Sequence, residues 1–208
     1  MLDAPLDHLV YATPHFEKTL DWFEDQLGFR PMFGGYHENQ GTKNALFNIG
    51  EGAYFEILAV DESNVEIQSP RWMGIDLIEK PCLTRWALNG KDLIKIGSIL
   101  EAYDPALNKL ITAERITSTG DKLSWDMLVP LAKPKVELMP FFINWKGSVH
   151  PTSSLANKCQ LVELKMQHPR AEEIMKIFKA LGIKQEVVKS DEVSMEAVLE
   201  TKRGVLRI

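Results

Sequence analysis

The feature that most constrains this chain is a local order of elements that starts three times. The first start is the apolar run Leu6-Asp7-His8-Leu9-Val10-Tyr11. After Thr13-Pro14, a cap residue and a proline suited to a first helical turn, Phe16, Leu20, Phe23 and Leu27 fall on one helical face. The third start is Leu161-Val162-Glu163-Leu164-Lys165-Met166, followed by Pro169 and the stripe Ile174, Ile177, Phe178, Leu181. Both stripes end alike, at Leu27-Gly28-Phe29 and Leu181-Gly182-Ile183, with glycine where a left-handed helix cap is expected. Between them, Leu83-Thr84-Arg85-Trp86-Ala87-Leu88 precedes a helix expected over 91–103. Repetition at this scale argues for related units that stack to bury a shared core.

The segments after each helix read as strands. In the first unit, 1–60, they are an edge strand at Phe29–Phe33, barred from a sheet centre by Pro31, then Asn44–Ile49 and Ala53–Val60. The glycine-punctuated stretch Gly34 to Lys43 reads as a polar loop. Residues 61–81 form a connector in which Arg71-Trp72-Met73 is a bulky group that must pack on something. The second unit, 82–146, has strands at 111–116, 123–130 and 139–145, with a hairpin turn at Thr119-Gly120-Asp121. A linker, 147–158, leads to a partial third unit, 159–208, with strands at 186–189 and 195–201. The fold class is α+β.

A net charge of -5 argues against a nucleic-acid surface. No run approaches the ~20 apolar residues of a membrane span, and no signal peptide is visible at the N-terminus. Cys82 and Cys159 read as free thiols of a reducing compartment, with one disulfide left open, so a cytoplasmic protein is expected.

Taken together, several stretches resemble the vicinal oxygen chelate superfamily and, within it, the glyoxalase-like domain group. They are Asp7-His8-Leu9-Val10-Tyr11, the helix end from Leu20 to Gly28, Gly34-Gly35 with His37, Gly41-Thr42-Lys43-Asn44, Tyr54-Phe55-Glu56-Ile57-Leu58, Pro140 to Trp145, and His150-Pro151. The resemblance implies tandem βαβββ modules with curved mixed sheets around a cleft, plus a C-terminal partial module. It also implies a divalent metal held by one residue from the first and one from the last strand of each module. His8 and Glu56 match the first module. The second module's positions fall near Arg85, which has no lone pair to offer, and Asn144.

His8 and Glu56 interrupt apolar strands, where a buried imidazole or carboxylate is costly without a partner. One reading is half a shell for Mn²⁺, Fe²⁺, Ni²⁺ or Zn²⁺, with His37 as third ligand. The other is a buried pair, with Arg85 bonded to Glu56 where the metal would lie. His8, Glu56 and His37 are the candidate catalytic residues. Arg85, Asn44, Thr42, Asn144 and Trp145 are the candidate substrate-binding residues, with the 34–44 loop as a lid. Trp86, Trp125 and Trp145 line a pocket or fill core. His150 belongs to a linker turn; Glu163 and Glu200 face solvent. No phosphate loop or nucleophile elbow competes. The expected function is a small-molecule lyase, isomerase or dioxygenase of glyoxalase type acting on a carbonyl or aromatic substrate. The alternative is a non-catalytic protein that sequesters a small molecule. An open sheet edge in the third unit leads us to expect a homodimer.

Overall fold

Alternation within the strands decides the architecture. Leu9, Phe55, Trp86 and Phe142 pack in one apolar cluster, while their neighbours Val10, Tyr54, Ala87 and Phe141 pack in another. Strands that are apolar on both faces need cover on both. Closing the sheet on itself covers one face, and helices cover the other.

The computed structural model describes residues 4–117, 120–133, 135–156 and 159–208. The first half of the barrel comprises β1 (Leu6–Ala12), α1 (Phe16–Leu27), β2 (Met32–His37), β3 (Thr42–Asn48) and β4 (Tyr54–Val60). The second comprises β5 (Cys82–Asn89), α2 (Leu93–Leu100), β6 (Leu110–Thr117), β7 (Lys122–Leu128) and β8 (Phe141–Asn144). The eight strands close in the order β1-β4-β3-β2-β6-β7-β8-β5. In each half the first strand pairs in parallel with the fourth, β1 with β4 and β5 with β8. The fold is thus α+β with tandem βαβββ modules, and the expected cleft is the barrel interior.

Two seams join the halves, and they differ. The β1–β5 seam runs from Leu6–Leu88 to Ala12–Cys82. Among the described residues, the β2–β6 seam consists of Gly35–Thr117 and Tyr36–Ile116.

The third segment comprises β9 (Cys159–His168), α3 (Ala171–Leu181), β10 (Val188–Lys189), β11 (Ser194–Thr201) and β12 (Gly204–Arg207). It repeats the order of elements but not the pairing. Its sheet runs β10-β9-β11-β12, with β9 antiparallel to β11. Phe178 of α3, fully buried, meets Trp86 on the barrel's outer face with ring centres 5.7 Å apart. Burying such a ring stabilises by about 1.5–3 kcal/mol. Gly28 and Gly182 take the left-handed caps expected of them, at φ 77° and 71°.

The expected loop at 34–43 is instead strand, turn and strand. Gly34 and Gly35 lie inside β2, a short turn spans Glu38–Gln40, and β3 begins at Thr42. The glycines are there for closeness: a Cβ on Gly34 would overlap the Arg115 guanidinium and the Asn44 amide, and one on Gly35 the Ile116 carbonyl. The stretch is therefore barrel wall and not a lid. The second helix is shorter than its stripe, beginning where the Asp92 carboxylate accepts from the Lys95 amide. Thr119 of the expected hairpin lies outside the described residues. Among the described residues, no helix is long and apolar enough to cross a membrane.

Candidate active site inside the barrel

The polar residues of the barrel interior form one chain of contacts. It starts at Asp7, 1% exposed, whose Oδ1 lies 2.7 Å from His8 Nδ1. A register irregularity between Leu6 and His8 accompanies this contact of adjacent residues. Asp7 Oδ2 accepts from Trp145 Nε1 at 2.9 Å and Asn89 Nδ2 at 3.3 Å, and lies 3.3 Å from His150 Nε2. Burial pushes this carboxyl up, but the hydrogen bonds from His150 and His8 outweigh it and hold it well below the usual carboxylate range. Asp7 is therefore an acceptor only, which assigns the proton to His8 Nδ1 and turns Nε2 toward the barrel centre.

His8 Nε2 lies 3.8 Å from Glu56 Oε2. The imidazole stacks on Tyr54, with centres 4.6 Å apart, and meets the edge of Phe141 at 5.3 Å. The other carboxylate oxygen, Glu56 Oε1, accepts from Asn44 Nδ2 at 2.6 Å, and Asn44 Oδ1 accepts from Arg115 Nη1 at 3.0 Å. The space beside Gly34 admits this last contact. The order is thus Asp7, His8, Glu56, Asn44, Arg115: two carboxylates, an imidazole between them, and a buried cation at the end.

His37 closes β2 beside this chain, Nδ1 3.0 Å from Thr42 Oγ1 and its ring edge-on to Trp72. Burial, reinforced by the Arg115 charge and by His8, drives its pKa down to about 3, so it is a neutral ring. Burial, followed by the Asp7 and Glu56 charges, pushes Tyr54 well above its ordinary value and keeps the phenol protonated.

His8, Glu56, Asn44, His37 and Trp145 all line one inner cavity of about 20 Å³, and Thr42 supports it through His37. That volume holds one or two waters. A second cavity, of about 610 Å³, lies at the short β2–β6 seam, lined among others by Phe33, Leu46, Lys122 and His150. Arg115 lines both.

Arg85 does not join the site. Its guanidinium donates to the carbonyls of Leu131 at 3.0 Å, Lys133 at 2.8 Å and Lys135, bracing the segment between β7 and β8. Strand parity points it inward, but its long side chain runs to these carbonyls instead of to Glu56. Asn144 is also elsewhere: it ends β8, and its Oδ1 accepts from the Lys146 amide at 3.0 Å. The residue paired with Ala87 as Glu56 is paired with Val10 is Phe141. His150 leaves the linker role for a place on Asp7. Glu163 and Glu200 are exposed on the third segment.

Arg115 and Asp7 escaped the reading of the sequence. Arg115 sits in Thr-Ala-Glu-Arg-Ile, which looks solvated, although it shares parity with the buried Ala113. Asp7 was hidden by its neighbour, since one strand does not ordinarily turn both residues to the same partner.

A family model described as a glyoxalase-like domain matches residues 6–182. The chain belongs to the glyoxalase-like domain family. No curated protein matches it. Among solved structures, this glyoxalase-like protein is similar to a hypothetical protein from Staphylococcus aureus, at 18% identity and TM-score 0.64, over 99% of this chain and 85% of that one. It is similar to a mutant of 4-hydroxymandelate synthase from Streptomyces coelicolor, at 12% identity and TM-score 0.51, over 100% of this chain and 62% of that one. Methylmalonyl-CoA epimerase from Mycobacterium tuberculosis aligns at 18% identity and TM-score 0.42, over 67% and 87%. The fold is that of the vicinal oxygen chelate superfamily, whose members are often metal-dependent.

The donors of this glyoxalase-like protein do not fit a resident divalent metal. Among the described residues, no three of His, Cys, Asp and Glu come together to hold one. His8 and Glu56 offer one atom each, their other atoms being engaged by Asp7 and Asn44. The second half contributes a braced arginine and a phenyl ring where two further ligands are needed.

Proposed function

We propose that the protein is an enzyme that moves a proton on a small anionic carbonyl compound, using His8 and Glu56 without a resident metal. The observation that carries this reading is the pair itself: an imidazole of fixed tautomer facing a carboxylate, both buried, beside a cation. Glu56 takes the proton from the carbon next to the carbonyl. When substrate binds, His8 takes up a proton on Nε2 and gives it to the developing enolate oxygen, while Nδ1 stays bonded to Asp7, whose carboxylate compensates the transient charge. Return of the enol proton to His8 Nε2 and of a proton from Glu56 to carbon restores the carbonyl, with one hydrogen exchanged with solvent. Arg115 draws the anionic group from the outer cavity, which receives the body of the substrate. His37, neutral and bonded to Thr42, shapes the wall and takes no part in the proton transfer.

Deuterium wash-in tests this. Proton NMR in heavy water follows the acidic C–H of a panel of α-keto acids and phosphorylated ketones. The wild type exchanges at least one member, and Glu56→Gln slows that exchange by about 100-fold or more.

A sequestering protein is the second reading, favoured by the small inner cavity, since a ligand held in the outer cavity need not reach Glu56. No exchange on any member, with binding indifferent to Glu56→Gln, would decide for it.

A further inference from the structure

The connector supplies two residues to the inner cavity, Trp72 and Met73. They sit on a short helical turn at Trp72–Leu77, over the end of the barrel where His37 lies. Met73 is 2% exposed and takes φ 57°, a left-handed conformation that a residue with a side chain adopts only under constraint. The Asp76 carboxylate accepts from the Arg71 amide at 2.9 Å, and the Gly74 amide donates to the Arg71 carbonyl at 3.0 Å. The turn is therefore a built part of the site.

The buried tryptophans of the barrel have partners for their indole N–H, whereas Trp72, on the connector, is half-buried. Trp86 donates to the Leu138 carbonyl at 2.8 Å, Trp125 to Met127 Sδ at 3.4 Å, and Trp145 to Asp7 at 2.9 Å. Trp72 Nε1 is buried and has no partner among the described residues. A buried donor left unmade is costly, and such a group calls for an occupant.

We propose that Trp72 is a ligand-binding residue whose indole N–H donates to an oxygen of the bound carbonyl compound. The inference rests on the proton-transfer reading above. An indole N–H can only donate, so the occupant presents an acceptor. Arg115 lines the same cavity and favours an acceptor that carries negative charge, the Asn44 amide being already engaged by Glu56 and Arg115. Neutral His37, edge-on to Trp72 at 5.5 Å, adds no competing charge. The chemical class is a planar oxyanion: a keto acid or its enolate whose two-oxygen end takes the place of the one or two waters the inner cavity has room for, one oxygen on Trp72 and the other toward Arg115, with the rest of the ligand in the outer cavity. Trp72 would then distinguish such ligands from carbonyl compounds of the same size with one oxygen.

The probe is oxalate, a planar dianion with the oxygen spacing of an enediolate. In ¹⁵N–¹H spectra of the wild type, the Trp72 indole signal is assigned through its contact with the His37 ring and followed during titration. The expected result is a downfield shift of that signal larger than for the other indoles. Trp72→Phe, which keeps an aromatic ring and removes the donor, weakens oxalate binding about tenfold. A Trp72 signal unmoved at saturating oxalate overturns the proposal, as does equal binding by Trp72→Phe, or the absence of any oxalate binding. Wash-in separates the two levels. Exchange by the wild type that Trp72→Phe leaves unchanged sinks the role of Trp72 alone. No exchange by either protein sinks the proton-transfer reading beneath it.

Discussion

The two halves of the barrel share their order of elements, and their interiors differ. The first half supplies Asp7, His8, Asn44 and Glu56, a continuous polar chain. The second supplies Trp125, Met127, Phe141 and Trp145, an apolar wall, together with the cation Arg115. The pseudo-repeat thus preserves architecture while the interiors diverge: one half carries the polar chain and the other the apolar wall. Arg85 shows how the divergence arises. It occupies the place that His8 has in the first strand, yet it serves the segment at 131–135. A symmetric barrel with a metal at its centre needs ligands from both halves, and here one half has given up both positions.

Arg85 is the residue whose removal has the largest expected effect, and that effect is structural. Arg85→Met leaves the carbonyls of Leu131, Lys133 and Lys135 without their shared donor, and costs about 3–5 kcal/mol of stability. The melting temperature, read by calorimetry, falls by roughly 10 °C. The exchange rate per folded molecule stays close to that of the wild type. A stable Arg85→Met protein that has lost activity would place Arg85 in the chemistry.

A smaller effect sharpens the polar half. His37 has its pKa lowered to about 3 by burial above all, so the folded state resists a proton that the unfolded chain accepts near 6.5. Its contribution is complete above that unfolded value and is lost as pH falls toward 3, because the unfolded state then binds more protons than the fold. Denaturant titrations of the wild type between pH 7 and pH 4 should lose roughly a few kcal/mol to this group. His37→Gln flattens that slope whatever its stability at pH 7. An unchanged slope would mean that the ring is not buried neutral beside Arg115. Asp7 acts in the same direction but at lower pH, since its depressed carboxyl stabilises the fold above the unfolded value of about 3.9 and fails only in stronger acid.

Much of the fold was legible because helical stripes and glycine caps are local signals. The apolar stripes from Phe16 to Leu27 and from Ile174 to Leu181 both form helices that stop at their glycines. Pairing is not local, so nothing in the third segment's sequence disclosed that β9 would pair with β11 in antiparallel fashion. His8 and Glu56 were legible as polar groups within apolar strands, whereas Asn44 was legible only as the residue that opens one. Gly34-Gly35 misled, because two glycines look like a loop when the residue that needs their space, Arg115, lies some eighty positions away. Parity identified the face that Arg85 starts from, but a long side chain does not end where it starts. Trp72 and Met73 were visible as bulk without a destination, which only the path of the connector over the barrel end supplies.

If the first half works without a metal, deuterium wash-in is unaffected by exhaustive dialysis against a chelator. The rate stays within about twofold of the untreated protein, with no gain when Mn²⁺, Fe²⁺, Ni²⁺ or Zn²⁺ is added back, because two donors are too few to hold such an ion. Loss of exchange in chelator, restored by one of these metals and abolished again in His8→Ala, would contradict it.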